Sequence, residues 1–91
     1  MRLLAEYFAR DYLTRDVVGR MTWVNSRTND LYRLVQGVKD AAMRVMDHGA
    51  PMSELDVAVA SLEAWLQHIR DHAAAVSKLR ASEHAALTSD Q

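Results

Sequence analysis

The most regular feature of the chain is an apolar repeat in its second half. Leu55, Val59, Leu62, Leu66, Ile69, Ala73 and Val76 follow one another at alternating steps of four and three. A helix turning about 100° per residue keeps such positions on one narrow seam, as in a coiled coil or a regular bundle. Leu31, Val35, Val38, Ala42 and Val45 repeat the spacing. Two separate matches to a strict template predict two long helices, over about 28–47 and 54–84. His48, Gly49, Ala50 and Pro51 end the first of them, because glycine accepts the left-handed conformation past a helix C-terminus and proline blocks continuation. Ser53, followed by Glu54 and Asp56, has the form of an N-cap with acids in the first turn. So short a connection makes the helices antiparallel neighbours, an all-α helical hairpin.

The first half is less regular. Leu3, Leu4, Tyr7, Phe8 and Tyr12 give a helix over about 2–21 an apolar stripe at three- and four-residue spacings. Val17, Met21 and Val24 stay in phase with the second helix, and Thr28 fills the next place. The window from Thr22 to Asp30 is nevertheless rich in β-branched and short polar residues that compete for backbone hydrogen bonds, with Ser26 or Thr28 able to cap a new helix. The expectation is a break or kink near 22–28. One helical domain over residues 1–87 follows, fraying from about Arg80, with a loose tail at 88–91.

Composition narrows the class. The chain is 49% hydrophobic and 25% charged with three glycines and one proline, which excludes a disordered or collagen-like chain. It has no cysteine, hence no disulfide, thiolate metal site or cysteine nucleophile. Its apolar runs are too short to span a membrane, and Glu6, Arg10 and Asp11 interrupt what begins like a secretion signal, so a cytoplasmic protein is expected. Ordering costs roughly 1.5 kcal/mol per residue, against about 1.5–3 kcal/mol from burying one large aliphatic side chain. A lone hairpin with one seam falls short of that. Leu34, Met46, Ala58 and Trp65 also widen the apolar face beyond a two-helix seam. The expected solutions are packing by the first helix, pairing with a second copy, or both, and a homodimer of four to six helices leads, with Leu31, Val35, Val38, Val45, Leu55, Val59, Leu62, Leu66, Ile69 and Val76 as the dimer or core seam.

Chemistry is sparse. His68 and His72 are four residues apart on one helix beside Asp71, a spacing that suits a cation, yet a zinc site needs three or four ligands and His84 lies three turns away. The seam register sets His68 outward and His72 at its border, a solvated flank, and neither metal nor cofactor is expected. No Glu has a His three residues later, as di-iron bundles require, and no nucleophile elbow, phosphate loop or His-Glu-x-x-His run occurs. An enzyme is not expected.

Contact chemistry is better represented. Trp, Tyr and Arg are over-represented at binding hot spots, and Phe8, Tyr12, Trp23, Arg27, Tyr32 and Arg33 form the candidate partner surface. Trp23 faces away from the seam if the second helix reaches back to it, and its plain alternative, with Trp65, is to fill the gap where the first helix crosses the hairpin. Arg10, Arg15, Arg20, Arg27, Arg33 and Arg44 raise a nucleic-acid alternative, in which a dimer doubles a basic face. Against it, the net charge is −1 and Asp11, Asp16, Asp30 and Asp40 interrupt the arginines. The expected function is a small regulatory or adaptor protein that occludes or bridges another protein, with the nucleic-acid regulator second and a His68/His72 metal bundle third.

Overall fold

The computed structural model describes the backbone of residues 2–89 and the side-chain surroundings of residues 4–84. It is all-α. Helix α1 spans Arg2–Thr14, α2 Val17–His48 and α3 Met52–Ser89, with no strand among the described residues. Helix α3 thus runs past the expected end near 84–87, and Asp90 and Gln91 of the expected tail lie outside the described residues.

The break in the first half falls at Arg15 and Asp16, not at 22–28, and the first helix ends at Thr14 rather than near 21. The cause is a cap. Gly19 N–H donates to Asp16 Oδ1 at 2.8 Å and Arg20 N–H to the Asp16 carbonyl at 3.0 Å. Asp16 therefore satisfies two of the amides that open α2, which an aspartate at an N-cap does well. Behind it, Thr14 Oγ1 donates to the Asp11 carbonyl at 2.6 Å, and Arg15 pairs with Asp11 at 2.9 Å. The suspect window stays helical because its hydroxyls join the helix instead of competing with it. Thr22 Oγ1 donates to the Val18 carbonyl and Thr28 Oγ1 to that of Val24, each one turn back.

Helix α2 ends where the glycine predicts. Gly49 has φ of +67°, in the left-handed region, and Ala50 N–H donates across it to the Arg44 carbonyl at 3.0 Å. Helix α3 starts two residues earlier than the serine suggests. Met52 is its first residue, Glu54 N–H bonds the Pro51 carbonyl at 3.1 Å, and Ser53 lies inside the first turn.

The chain packs as two compact units. One is Met1–Trp23 with His68–Gln91, the other Val24–Gln67. In the second, the packed stripe on α2 is Leu31, Leu34, Val38, Ala41 and Val45, and on α3 Leu55, Ala58, Leu62 and Trp65, all half-buried or buried. Both sets alternate steps of three and four. Both are also one residue off the expected seam at every other place. Leu34, Ala41, Ala58 and Trp65 are packed, while Val35 and Leu66 are exposed and Ala42 and Val59 sit half-buried beside the stripe. In the first unit, α3 continues the same rhythm with Ile69, His72, Val76 and Leu79, and Ala73 is exposed.

Complete burial is rare. Among the described residues only Ala9 (0%), Ala41 (1%) and His72 (6%) are buried, and no large side chain is fully enclosed. Fourteen large apolar side chains among the described residues are exposed. No helix among the described residues is long and apolar enough to cross a membrane.

Candidate protein-interaction site

His72 organises the first unit. Its imidazole stacks on Trp23 at 4.2 Å between ring centres and 17° between planes, and Tyr12 meets both rings edge-on, at 5.5 Å from His72 and 5.6 Å from Trp23. The Arg20 guanidinium lies over the Tyr12 face at 5.9 Å. Offset and edge-to-face pairs of this kind add about 0.5–1.5 kcal/mol each beyond their buried area. Each ring comes from a different helix, so the cluster ties α1 and the start of α2 to α3. His72 is therefore no flank residue. The register that buries it, one step from the expected seam, is the one that lets Trp23 reach it.

That arrangement divides the candidate partner residues. Tyr12 and Trp23 are half-buried in contact with each other, which is the gap-filling alternative for Trp23. Phe8 is exposed and its ring meets Tyr7 edge-on at 5.5 Å, with Leu4 exposed a turn earlier. In the second unit, Tyr32 is 71% exposed and Arg33 is exposed, while Arg27 is half-buried and its Nε approaches Asp30 Oδ2 at 3.5 Å. Trp65 is half-buried in the seam.

No family model, curated protein or solved structure matches the chain.

Among the described residues, the first unit carries two recesses of note. The larger, about 570 Å³, lies between α1 and α3 and is lined by Ala5, Ala74 and Ala75 with Glu6, Arg10, Asp71 and Lys78 on its sides. It mixes two acids with two bases and so selects neither an anion nor a cation. The smaller, about 220 Å³, is lined by Leu4, Ala5, Phe8, His68, Asp71 and His72. His68 and His72 thus share a recess with one carboxylate, but no group of three metal-ligating side chains exists among the described residues. Arg15, Arg27 and Arg44 of the six arginines considered for phosphate contact pair with Asp11, Asp30 and Glu54.

Exposed apolar flanks are the feature that pattern reading located only approximately. Val35 and Leu66 carry the expected heptad spacing yet face outward, so the repeat marks a second stripe beside the packed one. The signal was the width of the apolar face, with Leu34 next to Val35 and Trp65 next to Leu66.

Proposed function

We propose that this protein is a small non-enzymatic regulator or adaptor that works by protein–protein contact, as a cytoplasmic homodimer built on an antiparallel hairpin of α2 and α3. One observation carries the reading: fourteen large apolar side chains are exposed among the described residues while no large side chain is fully enclosed. A single folded copy rarely leaves so much apolar surface in water unless it meets another surface. The hairpin is supported by the three-residue link and by the Arg44–Glu54 ion pair that joins the two helices beside it. Exposed Phe8 on α1 and Tyr32 with Arg33 on α2 are the side chains best suited to anchor a partner, by area and by polar tip.

The test is the solution mass of the full chain across a hundredfold dilution. A dimer that dissociates on dilution agrees with the reading. A folded monomer of 10.3 kDa at every concentration removes the homodimer, and with it the self-association that the exposed surface calls for.

A further inference from the structure

The helix pair in Val24–Gln67 has one charged flank and one apolar flank. With the packed seam lettered a and d, position a holds Leu31, Val38, Val45, Leu55 and Leu62, and d holds Leu34, Ala41, Ala58 and Trp65. Arg44 and Glu54 then both fall at g, and their 3.0 Å ion pair sets the g flanks of the two helices on one side. Antiparallel helices that share an a/d seam carry their e positions together on the other. Those e positions are Val35 and Ala42 on α2 and Met52, Val59 and Leu66 on α3, with Thr28 at the far end. None bears a charge. Val35 is 49% and Leu66 41% exposed.

We propose that this e flank is where a second copy of the chain docks, so that two helix pairs close into a four-helix bundle. The proposal rests on the contact-driven reading above and names its surface. A stripe repeating every seven residues is matched by another stripe of the same repeat, and the chain supplies one itself. The charges bordering the flank agree. Lys39 borders it on α2, and Asp56 and Glu63 border it on α3, all exposed. In a bundle whose neighbouring helices are all antiparallel, α2 of one copy runs beside α3 of the other. Lys39 stands 11 residues before Ala50 and Glu63 stands 13 after it, so the two reach the same level with opposite charge.

The area is sufficient, though only just. About 24 Å of helix by roughly 20 Å across two helices gives on the order of 500 Å² per copy. Two copies reach about 1,000 Å², the floor for a specific interface. A dimer that exchanges with monomer, at a dissociation constant on the order of micromolar, is the expected strength.

Sedimentation equilibrium of the full chain tests this, with circular dichroism to follow helix content. Replacing Val35→Glu together with Leu66→Glu is expected to raise the dissociation constant at least about a hundredfold, because four carboxylates then face a closed apolar seam. Val57→Ala, on the exposed side of α3 opposite the e flank, leaves the dimer as it was. Lys39→Glu weakens the dimer about two- to fivefold, and adding Glu63→Lys to the same chain restores it, since an exposed pair contributes little but is specific in sign. A dimer that survives the double glutamate variant with helicity intact overturns the proposal while leaving the contact-driven reading standing. A parent chain that never dimerises ends both. If the double glutamate variant loses its helices, the charge swap decides, and failure to restore overturns the proposal.

Discussion

The two compact units solve the same problem with different means. Met1–Trp23 with His68–Gln91 has three helical segments, and the rings of Tyr12 and Trp23, from two of them, pack against His72 on the third. Val24–Gln67 has only two, and its one buried residue is the small Ala41. A third segment gives a seam residue neighbours on more sides than a single facing helix can provide. Two helices alone leave a flank open, and here the open flank is aliphatic. The aromatic unit is closed by its own chain to a degree the aliphatic unit is not.

The largest effect expected from breaking this contrast lies at His72. His72→Ala removes a ring stacked on Trp23 and should cost about 2–4 kcal/mol in urea unfolding, from lost contacts and a cavity. His72→Phe keeps a ring there and should recover part of the loss. A cost for the alanine near that of an exposed substitution, about 0.5 kcal/mol or less, removes the claim that the cluster closes this unit.

A smaller effect sharpens the register in the other unit. Ala41 is 1% exposed and its neighbour Ala42 is half-buried beside the seam. Ala41→Leu should destabilise by about 1–3 kcal/mol through overpacking, measured by thermal or urea unfolding. Ala42→Leu, pointing toward the open flank, should cost less than half of that. Equal penalties would mean the packed stripe has been assigned to the wrong face.

Part of this was legible in the chain and part was not. Long helices, their link and the left-handed Gly49 follow from spacing and local chemistry, and the structure has them. The break at Asp16 was hidden because one aspartate cap outweighs a window of poor helix formers, and Thr22 and Thr28 bond back into their own helix. The seam slipped by one residue for a related reason. Aliphatic pattern favours Val35, Val59 and Leu66, whereas the packed places hold Leu34, Ala41, Ala58, Trp65 and His72. Small alanines let helices approach closely and rings find one another across elements, and neither preference has a period. The same aliphatics then mark the surface left over. Of the candidate partner residues, Phe8, Tyr32 and Arg33 are presented outward, while Tyr12 and Trp23 turn to each other.

The smallest effect concerns the charged flank. Arg44→Ala breaks the 3.0 Å pair with Glu54, both exposed, and should lower stability by no more than about 1 kcal/mol, with most of the difference lost in high salt. A larger, salt-independent loss would mean that the g flank contributes packing as well as charge.

The most direct measurement uses the absence of cysteine from the chain. Leu34→Cys and Val35→Cys are introduced singly, and the labelling rate of each thiol is followed by mass spectrometry as the protein is diluted. The thiol at 34 should stay slow at every concentration, being in the seam of its own helix pair. At 35 it should be slow in concentrated protein and approach the rate of an exposed thiol on dilution. If the thiol at 35 labels fast at all concentrations, no second copy covers that flank and the account fails.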